Sequence, residues 1–274
     1  CCARPGGLVV DVGGNFGWYT LFSLALGCEV IVFEPYFDLY AAVIELAGGV
    51  RRAVTLRTPD YSFDPAELEA AIKPSTRMIM VNTPHNPTGK VFSSDELAAI
   101  AQVALQHDLL VVTDEVYEHM TYDGIRHVPL ATLPGMADRT VTISSGGKSF
   151  GLTGWKVGWA HAPTELVNAV HTVKQHLSFT SGAPFQRAMV TALNLGDDYF
   201  TGLADDLRVR RDLIVDGLSS VGLTVYPAMG TYYVTADVGP LGYDDGMDFC
   251  RDLPGRCGVV AIPNQVFYDD QDAG

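Results

Sequence analysis

Basic residues are scarce in this 274-residue chain: 18 Lys and Arg stand against 32 Asp and Glu, a formal charge of −14. Affinity for a nucleic-acid backbone comes from cationic side chains neutralising phosphates, so no nucleic-acid partner is expected. Cysteine is sparse as well. Cys1, Cys2, Cys28, Cys250 and Cys257 are odd in number and include no Cys-x-x-Cys, which points to reduced thiols and a cytoplasmic setting rather than a disulfide framework. The seven histidines fall in no His-Glu-x-x-His or comparable spacing, so no metal centre is expected. Long apolar runs are missing. The longest candidate, residues 18–28, is short and stops at Glu29, so no membrane partner is expected. No basic stretch precedes an apolar one as in a signal peptide. The chain opens on Cys1 rather than Met, which suggests a piece of a longer protein.

What is present is a core-forming composition. Hydrophobic residues make up 47% of the chain, enough to exclude global disorder and to build one large domain or two smaller ones. Four apolar strands are expected at 29–33, 78–81, 109–112 and 140–144. Each runs into a polar or glycine-rich stretch holding a candidate residue: Phe37, Asn86, Asp114 and Lys148. Open α/β sheets bind ligands just beyond the carboxyl ends of their strands.

Each of these four has a plain reading and a chemical one. Alone, Phe37 reads as a core ring and Lys148 as a surface lysine in a Ser/Gly turn. Asn86 sits in Asn82-Thr83-Pro84-His85-Asn86-Pro87-Thr88-Gly89, an irregular loop forced by two prolines and a glycine. Its amide can donate to a phenolate oxygen, and Tyr117 can reach the same oxygen. Asp114 follows a run of apolar residues, where an acid is costly unless paired; it is either a helix N-cap or the partner of a protonated ring nitrogen. Lys148 follows Ser144-Ser145-Gly146-Gly147, and lysine condenses with carbonyls. One aromatic, one amide, one acid and one lysine together match what a pyridoxal ring needs.

The rest reads as alternating helices and strands. Helices are expected at 40–47, 64–72, from Ser93 or Ser94 to 107, 163–176, 183–195, 199–218 and 249–253. Further strands are expected at 8–11, 54–56, 156–161 (an edge strand), 223–226 with 231–236 as a pair, and 259–262. At the start, strand 8–11, Gly13, Gly14 and Gly17, a helix at 18–27 and a strand ending in Glu34 follow the grammar of a nucleotide or cofactor site. The glycines are equally explained by a tight turn.

Two resemblances arise from these residues. Val9-Val10-Asp11-Val12-Gly13-Gly14-Asn15-Phe16-Gly17 resembles the first motif of S-adenosylmethionine-dependent methyltransferases, with Glu34 as the ribose acid. Far more specific are Asn86-Pro87-Thr88-Gly89, Asp114-Glu115-Val116-Tyr117 and Ser145-Gly146-Gly147-Lys148 followed by Gly154-Trp155-Lys156. These resemble class I/II aminotransferases, the fold-type I pyridoxal phosphate (PLP) enzymes, over most of the chain from about Glu29 to about Tyr268. The kynurenine/methionine and succinyldiaminopimelate branches look nearest.

That resemblance implies an α/β fold: the three-layer, mostly parallel sheet of the PLP-transferase large domain over 29–196, then a partial α+β small domain over 197–274. Residues 1–28 are either a divergent phosphate loop or a foreign segment. It implies a Schiff base on Lys148, Asp114 on the pyridine nitrogen, Asn86 and Tyr117 on the 3′-oxygen, Phe37 stacked on the ring, and Ser145 and Lys156 on the phosphate. It also implies amino-acid and 2-oxo-acid substrates and a homodimer. The family's carboxylate-gripping C-terminal arginine and its N-terminal arm have no match here, and Arg251 and Arg256 are not expected to replace that arginine. A chain shortened at both ends and catalytically impaired is therefore expected. A PLP-dependent carbon–sulfur lyase, a non-catalytic fragment and a methyltransferase built on the first segment are the alternatives.

Overall fold

The computed structural model describes residues 8–11, 27–180, 182–226 and 228–270. The expected helix at 18–27 and the glycines at 13, 14 and 17 lie outside the described residues, save Gly27. The frame is a seven-stranded sheet of β1 (Leu8–Asp11), β2 (Glu29–Glu34), β3 (Val50–Thr55), β4 (Thr76–Asn82), β5 (Leu110–Asp114), β6 (Thr140–Ser145) and β7 (Gly158–Ala162). Their spatial order is β1-β7-β6-β5-β4-β2-β3. The run from β3 to β6 is parallel, while β7 is antiparallel to both β6 and β1.

Helices cover both faces, so the central strands are continuous apolar runs rather than alternating ones. On one face α1 (Leu39–Leu46) and α5 (Thr164–Leu177) bring Tyr40, Val43, Ile44 and Val167 onto Val30, Met80 and Val112. On the other, α2 (Pro65–Ala71) and α3 (Ser94–Gln106) bring Leu68, Leu97, Ile100 and Ala104 onto Ile31, Ile79 and Val111. The expected three layers are thus present.

Helix starts follow local chemistry. The Asp64 carboxylate accepts from the Ala66 N–H ahead of α2, whose first residue is Pro65. Ser93 and Glu96 form a reciprocal capping box on α3. Beyond the sheet come α4 (Gly146–Ser149), α6 (Ala183–Ala192), α7 (Asp197–Ser220) and α8 (Gly246–Cys257), with a two-stranded antiparallel pair β8 (Thr224–Tyr226) and β9 (Thr235–Asp237).

Four expectations need correction. The strand expected at 54–56 begins at Val50; Arg51 and Arg52 hide it, and both charges suit a sheet edge, where Arg52 pairs with Glu29 and Arg51 with Asp269. The strand at the other end, β7, is not an edge, because β1 pairs along it. Residues 259–262 form no strand: Val259, Val260 and Ile262 are exposed, and no ladder partner exists among the described residues. Of the strand expected at 231–236, only Thr235–Asp237 pairs; the Tyr232 and Tyr233 hydroxyls instead meet that of Tyr117.

Candidate active site

The register of the parallel strands builds the site. β4 and β5 align so that Asn82 stands opposite Asp114, and β5 and β6 so that Asp114 stands opposite Ile143, five residues before Lys148. The carboxyl ends of four neighbouring strands therefore open on one cleft, lined among others by Phe37, Asn86, Asp114, Tyr117 and Lys148. The structure brings these five residues together from four separate strand ends.

Asp114 is buried at 2% exposure. Its Oδ2 accepts from the Tyr40 hydroxyl at 2.7 Å and its Oδ1 from the Val116 N–H at 3.3 Å. Burial pushes the carboxyl up to about 6, against the opposing pull of Tyr40, Val116 and the Lys148 charge. No lysine or arginine forms an ion pair with it among the described residues. Asp114 lines the cleft, and the Lys148 charge acts on it from the same cleft without forming an ion pair.

Lys148 rides on α4. Its Nζ donates to the Tyr232 hydroxyl at 2.5 Å and stands 5.4 Å from the centroid of the Tyr117 ring. Tyr117 in turn donates to Tyr232 at 3.4 Å and lies 3.2 Å from the Tyr233 hydroxyl. Burial pushes the Tyr232 phenol up, but the Lys148 and Tyr117 donors outweigh burial and bring it below the usual phenol range. Tyr233, by contrast, is pushed up to about 12 by burial, despite the Tyr117 contact. Phe37 meets Tyr40 edge-on, ring centroids 5.6 Å apart, beside Asp114.

Ser145 and Lys156 do not line the cleft. Ser145 caps α4, accepting from the Gly147 N–H at 3.0 Å and donating to the Val157 carbonyl at 3.2 Å. Lys156 is exposed, in a left-handed conformation (φ 56°) next to Val157, so both residues flank the same end of α4. Arg251 and Arg256 pair with Asp248 and Asp252 on their own helix.

Sequence reasoning missed Tyr40, Asn82, Tyr232 and Tyr233. Tyr40 and Asn82 look like an ordinary helix residue and a strand terminus. The tyrosine pair carried one usable signal, the glycine before it. Gly230 and Gly89 let two backbones meet: Met229 and Gly230 both donate to the Gly89 carbonyl, and Thr231 donates to the Met120 carbonyl. A Cβ on Gly230 would lie 2.6 Å from Met120 O, and one on Gly89 2.5 Å from the Ala228 Cβ.

The nucleotide-site reading of the first segment does not survive the topology. It requires the strands before and after the glycines to be neighbours, but β1 and β2 lie near opposite ends of the sheet, with four strands between them. Glu34 is also occupied: its carboxylate accepts from Thr55 and from the Asp269 N–H, both at 2.9 Å.

The family described as aminotransferase class I and II matches residues 4–271. This chain belongs to that family. A Mycobacterium tuberculosis relative named probable N-succinyldiaminopimelate aminotransferase DapC is 48% identical over 246 residues, which is 89% of this chain and 62% of that protein. The Escherichia coli methionine aminotransferase is 36% identical, covering 96% of this chain and 69% of the relative. Mouse kynurenine–oxoglutarate transaminase 3 is 42% identical over 80% of this chain and 52% of its own length. The solved M. tuberculosis N-succinyldiaminopimelate aminotransferase superposes with a TM-score of 0.91 at 46% identity, covering 95% of this chain and 69% of that one. The chain thus spans less than two thirds of the first of these relatives. Class I/II aminotransferases use pyridoxal phosphate.

Proposed function

We propose that this chain carries the cofactor site of a PLP-dependent aminotransferase, which moves an amino group between an amino acid and a 2-oxo acid. The observation that carries this reading is one cleft that holds both the Lys148 amine and a buried Asp114, which has no ion-pair partner in contact among the described residues. The donor set fits pyridoxal phosphate. A protonated ring nitrogen would be the contacting ion-pair partner that Asp114 lacks among the described residues, and Lys148 is the amine for the aldehyde. Phe37 offers a ring face, and Asn86 and Tyr117 offer donors for the phenolic oxygen. Ser145 and Lys156, flanking α4, would hold the phosphate.

When bound, pyridoxal phosphate supplies an electron sink for the charge left as the substrate Cα loses its proton. The protein's part is to orient and to move that proton. Lys148 Nζ is the base that takes it from Cα. Tyr232, which accepts from that same nitrogen, holds the amine in place before it acts. Residues 29–196 would form the cofactor-binding domain, and α7, α8 and the β8–β9 pair within 197–274 would belong to a second. The same reading makes the assembly a homodimer, supported by apolar side chains left exposed on and around α6.

The test is to incubate the purified chain with pyridoxal phosphate, reduce with borohydride and map the labelled peptide. The label is expected on Lys148, together with a visible absorbance band lost in Lys148→Ala. A label on Lys156 or Lys174 refutes the assignment. Adding amino-acid donors then reads transamination directly, as loss of that band.

A further inference from the structure

Asn82 ends β4 and is 4% exposed. Its amide makes three hydrogen bonds inside the protein. Oδ1 accepts from the Asn86 N–H at 2.7 Å, while Nδ2 donates to the Asp114 carbonyl at 2.9 Å and to the Pro84 carbonyl at 3.2 Å. These partners fix the orientation of the amide, because a flipped group would set its oxygen against two carbonyl oxygens. The Asp114 carbonyl does not need this bond to be satisfied, since it already accepts from the Thr83 N–H at 3.1 Å. What the amide adds is a link: it ties the backbone of Asn86, which arrives on an irregular loop, to the backbone of Asp114, which is fixed in the sheet.

We propose that Asn82 is a positioning residue that sets Asn86 against Asp114, and so sets the donor for the cofactor's phenolic oxygen against the acid for its ring nitrogen. This rests on the cofactor reading given above. The consequence is one-sided. Asp114 keeps its place without Asn82, through Tyr40, Val116 and Thr83. Asn86 loses the one acceptor that its N–H has among the described residues. Truncating Asn82 therefore reproduces the loss of the Asn86 amide and not the loss of the Asp114 carboxylate.

The test is a double-mutant cycle on pyridoxal phosphate affinity and on the pH midpoint of the bound cofactor's visible band. It uses the whole chain as wild type, Asn82→Ala, Asn86→Ala and the double variant. Asn82→Ala is expected to weaken cofactor binding about tenfold, the scale of one lost hydrogen bond. It is also expected to raise the pH midpoint, because a donor on the phenolic oxygen favours its ionised form. The double variant is expected to be no worse than Asn86→Ala. Additive losses, or an unchanged midpoint, overturn the proposal. Where Asn82→Ala does not fold, the test rests on amide exchange in the wild-type chain. Amide exchange at Asn86 in the cofactor-free wild type gives a reading independent of the cofactor. A slow Asn86 amide supports the link and a freely exchanging one overturns it, even if the chain takes up no pyridoxal phosphate and the functional reading itself fails.

Discussion

Asp114 concentrates the electrostatics of the site in one carboxyl group. In the folded chain it is pushed up to about 6 by burial, from an ordinary 3.8. A raised acid favours the fold in its protonated form. Its contribution is complete below about pH 3.8 and is lost as pH rises through about 6. The difference amounts to up to about 3 kcal/mol in the cofactor-free chain. Asp114→Asn removes it, so the apo variant should gain on wild type as pH goes from 4 to 7.5, read from urea midpoints. The comparison must be a difference between variants because His85 acts in the opposite direction. Its sealed ring is pushed down to about 3 by burial and by Lys90, so its contribution is present above pH 6.5 and lost on acidification. With pyridoxal phosphate bound the order should reverse, since the cationic ring nitrogen stabilises only the carboxylate. An apo difference that is flat with pH would show that Asp114 is not strained by its burial. At this scale the sequence was informative: an acid at the end of an apolar strand, 28 residues after Asn86, marked the position. Tyr40, whose hydroxyl shares that carboxylate, left no mark, because a tyrosine in the first turn of an amphipathic helix reads as core.

At the scale of elements, what could be read from sequence was whatever local chemistry decides. The parallel strands announced themselves as apolar runs, and the Asp64 and Ser93 caps as starts. Thr231-Tyr232-Tyr233-Val234 has strand composition, yet its path is set by contacts far away in the chain, at Gly89 and Met120. No periodicity encodes those. The glycines that permit the approach give a prediction with two signs. Gly230→Ala would put a methyl 2.6 Å from the Met120 carbonyl and 3.0 Å from the Pro84 Cβ. Backbone on one side cannot yield cheaply, so a loss of about 1–3 kcal/mol is expected, with weaker cofactor retention as Tyr232 and Tyr233 move off Lys148. Gly217 lies inside α7 with nothing within 4 Å of its added Cβ. Gly217→Ala should therefore stabilise by about 0.5–1 kcal/mol. Denaturant midpoints of both variants check the pair. Equal effects would mean that the close approach at Gly230 does not constrain the fold.

The whole molecule sets two long-range forces against each other. Each chain carries a formal charge of −14, and two such chains repel. Each also exposes large apolar side chains around α6: Phe179 at 75%, Val190 at 62% and Leu193 at 50%. Burying such a group removes apolar surface from water at about 25 cal/mol per Å², and a face of this kind is a candidate for association. The repulsion acts through solvent over tens of ångströms at low salt and is screened at higher salt, with a Debye length of about 30 Å at 0.01 M and about 8 Å at 0.15 M. Apolar burial is not screened. A homodimer built on this face should therefore tighten as salt is raised over that range, the reverse of an assembly held by ion pairs. Light scattering on the 29.5 kDa chain should show a mass moving towards twice that value with salt. Val190→Glu, which adds charge to the centre of the face, should hold the mass at one chain in both conditions. A monomer at every salt concentration, or a Val190→Glu variant that dimerises as wild type does, would rule out this face as the dimer contact.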